Sequence, residues 1–145
     1  MNLYTIEVGA DRFLAINETG EANAFPIIVN HGMIASIRED RLFHSLVDAG
    51  FRVISIARPG YGLSSPFEMK NIREWGDIVG AIAAGGAMGS FDVLGLSSGA
   101  PYSYAIARAI PGKVRNMYIF SGTPALCDER VQRLWPYPSN ERATM

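Results

Sequence analysis

The nine residues Phe91-Asp-Val-Leu-Gly-Leu-Ser-Ser-Gly99 join a compact apolar run to a segment of helical periodicity. A run this short and this continuously apolar suits a parallel strand buried on both faces. The segment after it is expected to be helical from about Ser98 to Ile110, where Pro111-Gly112 stops it. The junction, Gly95-Leu96-Ser97-Ser98-Gly99, has the pattern G-x-S-x-G at a strand-to-helix turn, the setting of a nucleophile elbow. Such a turn forces its serine into strained backbone angles and lifts the hydroxyl clear of the sheet. Glycines are needed on either side because side chains there would collide with the turn. The helix start behind Ser97 offers free N–H groups and a positive dipole end to a developing oxyanion.

Working outward, the same alternation repeats. Pro26–Asn30, Phe51–Ile56 and Val114–Phe120 are further short apolar runs that read as buried strands. Leu3–Val8 and Arg12–Asn17, separated by Gly9-Ala10-Asp11, read as an antiparallel hairpin. Ser36-Ile-Arg-Glu39 has the form of a capping box, with Ile37, Leu42, Phe43, Leu46 and Val47 on one helical face and Gly50 as the C-terminal cap. A second helix is expected from near Asn71, with Ile72, Trp75, Val79 and Ile82 facing inward. Strands alternating with helices define an α/β class: a mostly parallel sheet flanked by helices, preceded by an antiparallel hairpin.

Composition narrows the function. The chain has 145 residues, one domain's length, with 48% hydrophobic and 19% charged residues, which excludes wholesale disorder. Thirteen Lys and Arg balance fourteen Asp and Glu for a net charge of −1, so the long-range attraction behind nucleic-acid binding is missing. The one cysteine, Cys127, leaves no internal disulfide and no multi-cysteine zinc site. No Asp/Glu/His cluster has ligand spacing, so neither metal nor cofactor is expected. No leader-like start and no apolar stretch of about 20 residues is seen, so the cytoplasm and no membrane are expected.

Two more strand ends carry unusual residues. Asn30-His31-Gly32-Met33 follows the first parallel strand, where a glycine lets the backbone approach a bound molecule and the Met33 and Ser98 N–H groups could serve as paired donors to an oxyanion. Arg58-Pro-Gly-Tyr-Gly-Leu-Ser-Ser65 follows the next strand. It is not a dinucleotide fingerprint: Ser65 stands where the third glycine belongs, and Pro66 follows in place of a helix start. Lys113-Val114 after Gly112 likewise rules out a phosphate-binding P-loop.

Taken in order, His31-Gly32, Arg58–Ser64 and Gly95–Gly99 resemble the α/β-hydrolase fold family, in the branch that includes proline iminopeptidases, non-haem perhydrolases, carbon–carbon bond hydrolases and small esterases. The resemblance spans about residues 20 to 125. It implies Ser97 as nucleophile, Met33 and Ser98 as oxyanion donors, and His31, Gly32, Gly95 and Gly99 as residues that shape the site. A serine at the elbow argues against epoxide hydrolases and haloalkane dehalogenases, which carry an aspartate there. The expected chemistry is acyl transfer from an ester, amide or related small carbonyl substrate to water.

The chain departs from that pattern in one respect. Family members place an acid and then a histidine after the serine, whereas the two histidines here, His31 and His44, both precede Ser97. His44 falls off the apolar face of its helix, and Asp128 has no histidine to orient. Residues 1–122 therefore read as the N-terminal part of a hydrolase core, and 123–145 as the start of a lid or a frayed tail. One reading is a shortened, nearly inactive serine hydrolase. The alternative is a catalytically dead binding or interaction protein, with Trp135, Pro136 and Tyr137 at an interface. A third has a partner chain supplying the missing strands and histidine. In a shortened sheet, Val114–Phe120 becomes an edge, and pairing with a second copy through it is expected.

Overall fold

The strands form where the apolar runs stand: β1 (Asn2–Gly9), β2 (Arg12–Thr19), β3 (Phe25–Asn30), β4 (Phe51–Ile56), β5 (Phe91–Leu96) and β6 (Val114–Phe120). The computed structural model describes residues 2–124 and 128–134, and there the strands make one sheet in the order β1-β2-β4-β3-β5-β6. β1, β2 and β4 are joined by antiparallel pairing, while β4, β3, β5 and β6 run parallel. Helices α1 (His44–Asp48), α2 (Arg73–Gly85) and α3 (Ala100–Ala109) connect them, and α4 (Glu129–Leu134) follows β6. Cys127, Trp135, Pro136 and Tyr137 lie outside the described residues.

The strand order creates the site. From β3 the chain steps one way to β4, then returns past β3 to place β5 on its other side. Right-handed crossovers in opposite directions put their helices on opposite faces. Accordingly Phe43, with Leu46 and Val47 of α1, packs on Ile27, Val29, Val53 and Leu94. On the other face, Trp75, Val79 and Ile82 of α2 and Ile106 of α3 pack on Ile28, Ile54, Ile56 and Val93. The connections leaving β3 and β5 therefore go to opposite faces, and the carboxyl ends of these neighbouring strands form the point in an α/β sheet where sites are commonly built. α2 and α3 meet closely at Gly76, where a Cβ would lie 2.4 Å from the Ala105 carbonyl oxygen.

Two sequence expectations are corrected. The capping box at Ser36–Glu39 does not form. The Arg38 N–H donates to Ser36 Oγ, Glu39 pairs with Arg41, and the helix starts later, through a 3₁₀ turn at Asp40–Phe43. The competing force is tertiary: Ile37 is drawn away to pack with Ala15 and Ala57, and Asn17 Nδ2 takes its carbonyl. Leu42 consequently points to solvent. In α2 the first residue is Arg73, whose N–H donates to Asn71 Oδ1, and Glu74 Oε2 accepts from the Lys70 N–H. Ile72 thus precedes the helix and is not part of its buried face.

β6 ends the sheet. Its beginning is fastened to β5, since Arg115 Nε and Asn116 Nδ2 donate to the buried Asp92 carboxylate at 3.1 and 3.2 Å. The Arg115 guanidinium also sits 3.7 Å from the centre of the Phe25 ring. The rest of the strand is open, with Met117, Tyr118 and Phe120 all exposed.

Candidate active site

Ser97 follows β5 with φ +52°, a left-handed conformation that costs a non-glycine residue roughly 1–2 kcal/mol. Its side chain is exposed. Three features hold the turn in place. The Ser97 carbonyl accepts N–H bonds from Ala100 and, at 3.1 Å, from Thr123 in the connection after β6. A Cβ at Gly95 would stand 2.6 Å from Ser103 Oγ and 2.8 Å from Ile119 Cδ1. At Gly99 it would stand 2.1 Å from the Asn30 carbonyl oxygen, so the start of α3 rides directly against the end of β3.

A buried polar chain supports that contact from behind. Trp75 Nε1 donates to Asn30 Oδ1 at 2.8 Å, Asn30 Nδ2 to Ser103 Oγ at 2.9 Å, and Ser103 Oγ to the Gly99 carbonyl at 3.2 Å. Trp75, Asn30 and Ser103 are fully buried, where an unmade hydrogen bond would cost about 1–3 kcal/mol each. α2, β3, α3 and the elbow are thereby registered to one another.

The loop after β3 crosses in front of the elbow, and a Cβ on Gly32 would be in ordinary contact, 3.5 Å, with Ser97 Cβ. His31 is buried, and both of its nitrogens are occupied: Nδ1 meets the Gly32 carbonyl at 2.7 Å, and Nε2 accepts the Arg58 backbone N–H at 3.1 Å. These partners define the neutral tautomer with the proton on Nδ1. Burial, then the nearby Arg58 charge, push the His31 pKa down to about 4, against the smaller opposing effect of the Gly32 carbonyl. Among the described residues no side chain hydrogen-bonds to Ser97 Oγ.

Neutral burial of His31 has a measurable consequence. The unfolded chain takes up a proton near pH 6.5 and the folded chain only near 4. Stability is therefore full above about pH 6.5 and falls as the pH drops toward 4, by at most about 3 kcal/mol. Urea unfolding at pH 7.5 and 4.5 is expected to show that loss in the native chain and a smaller one in His31→Gln. Equal losses in both would show that other groups carry the pH dependence.

Met33 and Ser98 line one cavity of about 480 Å³, together with Arg58, Tyr61, Phe67, Met69, Ile72, Tyr102 and Thr123. Its walls are largely apolar and aromatic, and Arg58 is the charged residue among them. Ile72, which the helical pattern sends into the core, lines this cavity instead. Ser98 Oγ is buried beside it without a partner among the described residues. A second cavity, about 450 Å³, lies across Tyr61 and is lined by His31, Ile37 and Leu3. Tyr61 borders both and leans on the His31 ring, centroids 4.6 Å apart. His44 is exposed at the start of α1, and Asp128 bonds Arg130 just ahead of α4.

The sequence reading placed several of these residues without finding their roles in the arrangement. Asn30 and Arg58 each follow a run of apolar residues at a strand end, and a polar group at that position was the available signal. Trp75 and Ser103 read only as helix residues, because their partners are distant in sequence.

This is the α/β-hydrolase fold, represented by its N-terminal part. The solved chains it is similar to include a thioesterase domain from the curacin biosynthetic pathway, with a TM-score of 0.76 and 19% identity over 92% of this chain and 51% of that one. A carboxylesterase of the ammonia-oxidising thaumarchaeon Nitrososphaera gargenis matches with a TM-score of 0.72 and 22% identity, over 83% and 45%. A bromoperoxidase from Bacillus anthracis matches with a TM-score of 0.69 and 23% identity, over 85% and 45%. The chain spans about half the length of these solved proteins. No protein-family model and no curated protein matches it. Among the described residues, no helix is long and apolar enough to cross a membrane.

Proposed function

We propose that this chain carries the nucleophile half of a serine hydrolase acting on an ester, amide or related small carbonyl substrate. The observation that carries the reading is Ser97 itself: an exposed serine at φ +52°, between a buried strand and a helix start, next to Ser98, which lines a cavity with Met33. Ser97 Oγ attacks the carbonyl carbon and gives its proton to a base. The carbonyl π pair moves to oxygen, and the Met33 and Ser98 N–H groups stabilise that charge. Collapse of the intermediate expels the protonated leaving group, and water then releases the acyl group from Ser97. Gly32, Gly95 and Gly99 give the backbone its close approaches, and His31 shapes the loop. The base is not His31, whose nitrogens are both engaged.

That last fact also favours a second reading, a binding protein without catalysis. The two are separated by supplying the base from solution. Incubation with p-nitrophenyl acetate and added imidazole is expected to leave one acetyl group on Ser97, detected by peptide mass spectrometry, and none at that peptide in Ser97→Ala. Absence of acetyl-Ser97, or labelling no greater than at other surface hydroxyls, favours the binding protein.

We further propose that β6 pairs with β6 of a second copy. Its apolar residues Met117, Tyr118 and Phe120 are exposed, and its one charged side chain, Arg115, is already held by Asp92. Light scattering is expected to show association that Met117→Lys weakens. A monodisperse monomer at high concentration would refute the pairing.

A further inference from the structure

We infer that Arg58 is the positioning residue that aims the Met33 N–H at the reacting carbonyl; this rests on the oxyanion reading above. The C=O of Gly32 and the N–H of Met33 belong to the same peptide unit. That unit is planar and trans, so the two bonds point in opposite directions. Whatever holds the Gly32 oxygen therefore sets the direction of the Met33 hydrogen. Arg58 Nη2 donates to that oxygen at 3.0 Å, and His31 Nδ1 meets it from another side at 2.7 Å. Arg58 Nη1 donates to the carbonyl oxygen of His31, one peptide earlier. The Arg58 backbone N–H holds His31 Nε2. One residue thus fastens two successive peptide planes and the ring beside them.

The cation is placed for this task rather than for an ion pair. Arg58 is 4% exposed, and among the described residues no carboxylate lies within ion-pair distance of it. The Tyr61 and Tyr102 rings lie 5.0 and 4.6 Å from its guanidinium carbon. Tyr102 belongs to α3, the helix that begins at the elbow, so the same stack relates the β3 loop to Ser98. Two carbonyls side by side require a planar fork with separate donors. Lysine has the charge but not the fork.

The test uses the whole 145-residue chain. In the native protein the Arg58 Nη protons are expected as resolved, slowly exchanging NMR signals with cross-peaks to the Met33 amide. Rapidly exchanging Nη protons without such cross-peaks would overturn the assignment without any variant. In Arg58→Lys, the backbone order of Gly32 and Met33 is expected to drop. Affinity for methylphosphonate, followed at the Met33 and Ser98 amides, is expected to fall tenfold or more. Ile16→Val, a mild core truncation on β2, is expected to leave both readings unchanged. Unchanged loop order in Arg58→Lys, or an equal change in Ile16→Val, would also overturn the assignment. If the loop loosens but the native chain never binds methylphosphonate at those amides, the oxyanion reading fails while the clamp stands.

Discussion

Without added base, the 145-residue chain is expected to hydrolyse p-nitrophenyl acetate about 10⁶-fold more slowly than an enzyme with a complete triad. The reason is the proton on Ser97 Oγ. A serine hydroxyl is a weak nucleophile until an adjacent base removes that proton during attack. The chain has two histidines. His31 uses Nδ1 on the Gly32 carbonyl and Nε2 on the Arg58 N–H, and its pKa near 4 makes it a poor proton acceptor. His44 lies on α1, whose packing partners are on the opposite sheet face from α3. What survives such a loss in related systems is the contribution of the oxyanion donors and binding, on the order of 10³–10⁴ over water. Ser97→Ala is accordingly expected to leave the residual rate within a few-fold. Fast turnover that disappears in Ser97→Ala would reveal a base that these residues do not identify.

Gly99→Ala is expected to unfold the protein or to cost more than about 4 kcal/mol, a large share of the 5–15 kcal/mol that typically separates folded from unfolded states. The added carbon would lie 2.1 Å from the Asn30 carbonyl oxygen and 2.8 Å from that of His31. Neither obstacle is a flexible side-chain end. β3 is hydrogen-bonded between β4 and β5, and Asn30 is tied to Trp75 and Ser103. The gain in helix propensity from alanine, about 1 kcal/mol, is far too small to offset that collision. Gly85→Ala, at the end of α2 with nothing within 4 Å of the new carbon, supplies the contrast and is expected to be neutral or slightly stabilising. Urea denaturation of both variants measures the difference. A Gly99→Ala protein as stable as the native chain would mean that the close approach of α3 to β3 is wrong.

The apolar runs made the strands legible in the sequence. β4, β5 and β6 begin and end where the runs do; β4 and β5 are apolar because the sheet interior covers them, whereas β6 has the same kind of run with Met117, Tyr118 and Phe120 left exposed. The elbow was legible for a similar reason: small residues are forced on any turn that packs a helix start against a strand end. The first helix was not. Ser36 and Glu39 have the right spacing for a cap, but Ile37 gains more by joining Ala15 and Ala57 than by staying on the helical face. Ile72 was misplaced on the same ground, since periodicity marks a residue as apolar without naming the surface that buries it.

Local spacing was enough to establish an α/β chain with a sharp turn at Ser97, because strand runs, glycine positions and helix stops act over a few residues. Folding alone determined that β5 lies next to β3, that Asn30 links Trp75 to Ser103, and that Arg58 holds the carbonyls of His31 and Gly32. Those contacts join residues 26 to 73 positions apart, and one-dimensional order carries no distance information on that scale.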